Sequence, residues 1–182
     1  MDKILLTGAS GYLGSRVAVH LRRCNKAFDS LPCRLHEIEP GTLHYRYVIH
    51  CAGRNAQSGD VDYHAGNALG TRFLLAGLGA SARVVFVSSR KVYAQTDDVC
   101  VDEHGQTCPA DDYGKSKLEA ERCLKDSSRA FVVFRAGGMF GHPHRCGRFA
   151  DQALRAALSG KTIALATPSR QEDYLDVDLM AE

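Results

Sequence analysis

Two spacings of apolar residues alternate along this chain. Short runs are apolar at nearly every position: Ile4-Leu5-Leu6, Tyr47-Val48-Ile49-His50-Cys51, Arg83-Val84-Val85-Phe86-Val87-Ser88-Ser89 and Phe131-Val132-Val133-Phe134-Arg135. Runs of that length and composition predict strands covered on both faces. Between them the apolar residues recur every three or four positions, as Val17, Ala18 and Leu21 do in 14–23, and Leu69, Phe73, Leu74 and Leu78 in 67–79. Residues 113–124 are rich in Lys, Glu and Ala. These three segments predict helices. Strands alternating with helices predict an α/β fold with a doubly wound parallel sheet, whose ligands gather beyond the carboxyl ends of the strands.

Two regions break the rhythm. Residues 25–45 contain Pro32, Pro40 and Gly41, and only 27–31 or 34–38 has strand character. A regular second strand, helix and third strand need more chain, so this segment predicts a compressed connection. After Gly141 the pattern predicts an amphipathic helix over 149–159, ended by Gly160, then short strands at 162–166 and 174–177. The expected organisation is a doubly wound domain over 1–145 and the start of a smaller lobe over 146–182, truncated before it has a core of its own.

Composition narrows the classes. The 182 residues carry a formal net charge of +2, which makes no electrostatic case for nucleic acid or an anionic membrane. No apolar run reaches the length of a membrane span and no signal-like leader precedes the first strand, so a cytoplasmic location is expected. Seven cysteines without a C-x-x-C pair predict reduced thiols, several of them buried. His142, His144 and Cys146 lie close together, but no complementary ligand pair stands elsewhere, so no metal site is expected.

The candidate chemistry lies at strand ends. Thr7-Gly8-Ala9-Ser10-Gly11-Tyr12-Leu13-Gly14 joins the first strand to the first helix. Glycines there permit a sharp turn, close approach of a pyrophosphate and tight helix packing, while the helix N-terminus offers free N–H groups to an anion. The spacing is G-x-x-G-x-x-G, and a plain glycine turn is the competing reading. Tyr113 and Lys117 stand four apart at the start of a helix and so share a face. An ammonium beside a phenol favours the phenolate, which equips Tyr113 to exchange a proton with a hydroxyl or carbonyl. Ser89, closing its strand, supplies a hydroxyl for the same oxygen, although strand-end capping explains Ser88 and Ser89 equally. Asp60, Asp62 and His64 read as a solvated loop. Asp97, Asp98, Asp102 and Glu103 read as an exposed stretch between Ser89 and Tyr113.

Together these segments resemble the extended short-chain dehydrogenase/reductases, the NAD-dependent epimerase/dehydratase family acting on nucleotide sugars. The resemblance runs through Thr7–Gly14, His50-Cys51-Ala52-Gly53, Asn67-Ala68-Leu69-Gly70-Thr71, Ser88-Ser89-Arg90-Lys91-Val92-Tyr93, Tyr113-Gly114-Lys115-Ser116-Lys117-Leu118-Glu119-Ala120-Glu121 and Phe134-Arg135-Ala136-Gly137-Gly138-Met139-Phe140-Gly141, in family order. It implies a Rossmann fold that binds NAD or NADP, with NAD favoured. Gly8, Gly11, Tyr12, Leu13 and Gly14 would line the pyrophosphate. Ala52 and Gly53 would pass the adenosine half, Asn67 would sit near the nicotinamide side, and Cys51 and Ser88 would also contact the cofactor. Tyr113 would be the general acid/base, Lys117 would bond the nicotinamide ribose, and Ser89 would orient the substrate oxygen. The implied activity is an epimerase or keto-reductase of a nucleotide sugar, in a homo-oligomer, a dimer; a dinucleotide-binding module without catalysis is the alternative.

Four departures stand out. An acid ending the second strand is missing, with Asp29 as a stand-in or Arg34 meeting a 2′-phosphate. Gly138 stands where the family often has Asn, and Glu172 stands where it has Arg. Much of a substrate lobe would be missing. Arg90 and Lys91 follow Ser89 where dehydratases of the family tend to carry Asp-Glu, which disfavours a dehydratase; solvated loop charges are the competing reading.

Overall fold

The computed structural model describes residues 3–31, 33–55, 62–94, 101–141, 149–164 and 173–182. Five strands form one sheet: β1 Ile4–Thr7, β2 Phe28–Ser30, β3 Tyr47–His50, β4 Arg83–Ser89 and β5 Ala130–Ala136, in spatial order β2-β1-β3-β4-β5. Every pairing is parallel, with Leu5 opposite Val48, Val48 opposite Val84 and Phe86 opposite Val133. That order is the one expected of a Rossmann-like sheet, which reverses direction beside the first strand.

Helices cover the two faces unequally. Leu5, Val48, Val84 and Phe86 pack on one face with Leu74, Leu75, Leu78, Ala120 and Leu124. The last five belong to or adjoin α2 Gly70–Gly77 and α3 Asp112–Asp126. On the other face Leu6 meets Leu13, Val17, Ala18 and Leu21 of α1 Tyr12–Arg23. Burying each of the Leu, Val and Phe side chains contributes about 1.5–3 kcal/mol.

The compressed connection is present. After β2 the chain makes a single 3-10 turn, Leu35–Glu37, where a regular fold would place a helix. Leu35, Ile38 and Leu43 cover part of the core instead. Leu43 also makes a parallel bridge to Leu78. The helix expected from residue 67 begins earlier, with a π-helical turn over His64–Leu69 that runs into α2. The Asp62 carboxylate accepts the Ala65 N–H at 2.8 Å and so starts it. His64 is exposed and sits 3.2 Å from Glu119. Asp60, Asp97 and Asp98 lie outside the described residues.

Three expectations need correction. Strand β5 was expected to be covered on both faces, yet Val132 and Phe134 are 52% and 49% exposed. They lie opposite Val85 and Val87, beyond the reach of α1, and no described helix covers that half-face. Among the described cysteines none is buried: Cys24, Cys33 and Cys108 are exposed, and Cys51 and Cys123 are half-buried. Residues 162–164 form no strand; 165 and 166 are outside the described residues. The helix near residue 149 is α4 Phe149–Leu158, followed by Gly160 at φ 62°.

A short strand that apolar periodicity did not reveal, β6 Gly138–Phe140, pairs in parallel with β7 Tyr174–Asp176. The final helix, α5 Val177–Ala181, is started by the Asp176 carboxylate, which accepts N–H groups of Asp178 and Leu179. Val177 is fully buried in the α1 cluster, and Arg16 of α1 pairs with Asp178. The segment assigned to a small lobe thus contributes a residue to the core of the larger unit.

No helix among the described residues is long and apolar enough to cross a membrane. Among the same residues no group of three potential ligands is gathered for a metal ion.

Candidate functional site

The glycine loop is shaped by the carbon atoms it lacks. Gly8 has φ 72°, and a Cβ there would lie 2.6 Å from the Ala52 nitrogen. A Cβ on Gly14 would lie 2.1 Å from the Gly8 oxygen. The first clash brings the loop against the end of β3, and the second seats α1 on the loop. At Gly11, the N-cap of α1, no side chain caps the helix, and its first turn carries no acidic residue. An uncapped N-terminus of a twelve-residue helix over a glycine cradle fits an anionic pyrophosphate. The Tyr12 hydroxyl donates to the Gly141 carbonyl at 2.9 Å and ties the loop to the exit of β6.

The carboxyl end of β3 forms the next wall. A Cβ on Gly53 would lie 2.7 Å from Asn67 Oδ1 and 3.3 Å from Lys117 Nζ. Asn67 is 2% exposed, accepts the Arg54 N–H at 2.8 Å and donates to Ser116 Oγ at 2.9 Å. Ser116 Oγ in turn donates to the Tyr113 carbonyl at 2.7 Å. Asn67 thereby fastens the loop after β3 to the first turn of α3.

Lys117 is buried where these elements meet. Its ammonium donates to the Val87 carbonyl at 2.9 Å and lies 4.8 Å from the centre of the Phe86 ring. Burial pulls its pKa down to about 8, against the opposing pull of Cys51 and Glu121. The Cys51 thiol is pushed up to about 12 by burial and stays neutral. Tyr113 shares the Lys117 face of α3, and its ring meets Tyr63 edge-on with centroids 5.7 Å apart. Lys91 Nζ stands 5.9 Å from the centre of the Tyr113 ring and 2.5 Å from Asp111. Asp111 also caps α3 through the Gly114 N–H, and its carboxyl lies below the usual range; burial, the largest influence, opposes that shift, and the Lys91 and Gly114 hydrogen bonds outweigh it.

Two serines take different places. Ser89 Oγ accepts the Lys91 N–H at 3.3 Å, the strand-end cap weighed against a catalytic role. Ser88 points into a buried network: its hydroxyl donates to Glu121 at 2.5 Å, and Glu121 accepts a two-pronged pair from Arg135 at 2.8 and 3.1 Å. Arg135 also lies 4.7 Å from the Tyr93 ring centre and donates to the Glu103 carbonyl. The structure therefore gathers Gly8, Ala52, Gly53, Asn67 and Lys117 and sets Ser88 apart with Glu121.

Asp29, the stand-in for the ribose acid, has its carboxylate engaged by two side chains, Lys3 at 3.3 Å and Tyr45 at 3.0 Å, residues that precede β1 and β3. Burial, with Asp29 beside it, raises the Tyr45 pKa. The glycine loop leaves the opposite end of β1. Gly138 leaves room for the Tyr174 ring, which a Cβ would approach to 2.8 Å. Glu172 and residues 142–146 lie outside the described residues.

Sequence reasoning quoted His50, Glu121 and Arg135 without giving them a role. His50 is 1% exposed, with Nδ1 2.6 Å from Thr7 Oγ1 and Nε2 3.1 Å from Thr71 Oγ1. The signal for both networks was a polar residue at an inward position: His50 ending an apolar strand, and Glu121 one helical turn beyond Lys117.

A Rossmann-like parallel sheet with a glycine loop and a buried lysine at its carboxyl edge defines an α/β protein of the Rossmann type. The model of the NAD dependent epimerase/dehydratase family matches residues 33–182, and the chain belongs to that family. The match begins after the glycine loop, so the loop is independent support. The UDP-glucose 4-epimerase of Yersinia pestis is 30% identical over 161 residues, covering 68% of this chain and 47% of the relative. The chain thus spans about half the length of that relative. Among solved structures, TunA, an NAD-dependent NDP-hexosamine 5,6-dehydratase of tunicamycin biosynthesis, superposes with a TM-score of 0.85 at 21% identity, over 100% of this chain and 70% of its own. MoeE5, solved with UDP-glucose and NAD, superposes with a TM-score of 0.81 at 23% identity, over 98% of this chain and 69% of its own.

Proposed function

We propose that this chain binds NAD at the Gly8–Gly14 loop and acts as an epimerase or keto-reductase of a nucleotide sugar. The observation that carries the reading is the convergence on Gly53: its missing Cβ leaves room for both Asn67 Oδ1 and the buried Lys117 ammonium. A buried cation bonded to a backbone carbonyl at a strand end suits a ribose hydroxyl and a tyrosine that must lose a proton. The names of the relatives supply the substrate class.

Within the reading, the N–H groups that open α1 hold the pyrophosphate. Gly8, Gly11, Tyr12, Leu13 and Gly14 shape that cradle. Cys51, Ala52 and Gly53 flank the adenosine half, and Asn67 keeps the second wall in place. Lys117 binds the nicotinamide ribose and lowers the cost of a Tyr113 phenolate. Tyr113 moves the proton at the sugar oxygen, and Ser89 orients that oxygen once its hydroxyl turns from the Lys91 N–H. NAD, when bound, accepts or returns a hydride at the sugar carbon. Lys91 beside Tyr113, with no acid in its place, favours epimerase or reductase over dehydratase. The substrate lobe is the division after residue 145, and a homodimer and a cytoplasmic setting remain part of the proposal.

One observation favours a binding module without catalysis. Gly138 and the Tyr174 ring occupy the place of the sugar-touching Asn implied by the family resemblance. Titration of NADH and NADPH by fluorescence, then turnover of a UDP-sugar panel, separates the two. The enzyme reading expects Tyr113→Phe to keep NADH affinity within about twofold and to lose at least about a hundredfold in turnover. Tight NADH binding with no turnover by the unaltered chain would establish the module instead. NADPH tighter than NADH would assign Arg34, exposed just past β2, to a 2′-phosphate.

A further inference from the structure

We propose that His50 is a positioning residue, a neutral imidazole carrying its proton on Nε2, that sets the glycine loop in register with the head of α3. The proposal rests on the reading that these two elements wall one site. Its basis is a single line of hydrogen bonds whose direction is fixed at both ends. The Ala52 N–H donates to Thr7 Oγ1 at 3.2 Å, and Thr7 Oγ1 lies 2.6 Å from His50 Nδ1. Beyond the ring, Nε2 lies 3.1 Å from Thr71 Oγ1, and the Thr71 hydroxyl donates to the Asn67 carbonyl at 2.8 Å. The Asn67 side chain then reaches Ser116, and Ser116 reaches the Tyr113 carbonyl.

A hydroxyl has one proton. That of Thr71 is committed to Asn67, so Thr71 can only accept from the ring, and Nε2 must carry the hydrogen. A neutral ring then presents Nδ1 as an acceptor, which takes the Thr7 hydroxyl proton. Thr7 is left with a lone pair for the Ala52 N–H. Every member is satisfied in one direction only, and the opposite tautomer would leave Thr71 and His50 as two acceptors face to face. Burial beside Lys117 holds the ring neutral, with its pKa lowered to about 3. Thr7, His50, Asn67, Thr71 and Ser116 are all buried, so water offers no easy substitute. The line starts at the nitrogen that the missing Cβ of Gly8 leaves uncovered and ends on the turn that carries Tyr113. A phenylalanine of similar size would fill the space without linking the two walls.

The two ring nitrogens can be replaced separately. In His50→Asn the amide reaches the place of Nδ1 and keeps the Thr7 bond alone. In His50→Gln it reaches the place of Nε2 and keeps the Thr71 bond alone. Hydrogen exchange should then split. His50→Asn leaves the Ala52 amide protected and speeds exchange in the first turns of α2 and α3 about tenfold, the size of one lost hydrogen bond. His50→Gln does the reverse, and weakens NADH binding about tenfold by releasing Thr7 beneath the loop. Thr71→Val should copy His50→Asn, and Thr71→Ser should restore the native pattern. Nitrogen NMR of the unaltered chain should find the ring proton on Nε2 from pH 8 down to pH 5. A proton on Nδ1, or equal effects of the Asn and Gln variants at both ends, overturns the proposal. Should the unaltered chain fail to bind NADH, the functional reading falls, while the exchange pattern and the tautomer still decide the role of His50.

Discussion

The glycine loop and the head of α3 face each other across the site and are held in opposite ways. The loop keeps its shape because atoms are missing: a Cβ on Gly14 would strike the Gly8 oxygen, and a Cβ on Gly8 would strike Ala52. Helix α3 keeps its place because buried polar atoms are present and matched, with Asn67 on Ser116 at its head and Glu121 on Ser88 and Arg135 further along. One wall should fail when carbon is added, and the other when a partner is taken away.

The largest effect is expected from the α3 wall. Glu121 is 1% exposed and answers the Arg135 guanidinium, whose pKa its hydrogen bonds push further up. Glu121→Ala would strip the half-buried Arg135 guanidinium of its anion and the buried Ser88 hydroxyl of its acceptor, at a cost of about 3–5 kcal/mol in urea unfolding. A loss below about 1 kcal/mol would mean that Tyr93 and the Glu103 carbonyl alone satisfy Arg135, and the contrast between the walls would vanish.

Lys117 sharpens the comparison through pH. An ordinary lysine titrates near 10.5, and burial brings this one to about 8. Below pH 8 both folded and unfolded chains hold the proton, and folding bears the full cost of burying the charge. Between pH 8 and 10.5 the folded chain releases it first, so stability rises with pH in that window. Measured against Lys117→Met, whose stability lacks this term, the wild type should gain about 3 kcal/mol across the window. Parallel pH curves would refute it. At neutral pH the variant should match or exceed the wild type in stability while losing function.

The smallest effect is expected at the loop. Gly14→Ala improves helix propensity by up to about 1 kcal/mol, but the backbone clash outweighs it and leaves a net loss of about 2 kcal/mol. The same variant should weaken NADH binding, since the Gly8 oxygen must move. A variant more stable than the wild type would show that the loop yields freely and that its glycines do not define the cradle.

This division also explains what the sequence made legible. Glycines and the doubly wound alternation are local patterns, so the sheet, α1, α3 and the loop could be read directly. The helix before Thr71 was placed late because Asp62 starts it through a side-chain bond that apolar spacing does not register. The exposure of β5 was missed because Val132 and Phe134 look the same whether a helix covers them or not. His50 and Glu121 were visible as letters but silent as to role, because their partners come from four other elements. The partners of Asp29 were hidden for a similar reason: Lys3 and Tyr45 reach it from just before β1 and β3.

The half-bare flank of β5 should set how the molecule responds to heat. A seven-residue rim strand that is Val- and Phe-rich gives molten chains a ready template for stacking on one another. Repeated heating and cooling should then recover less folded protein on each cycle, and full recovery would show that the strand does not seed association.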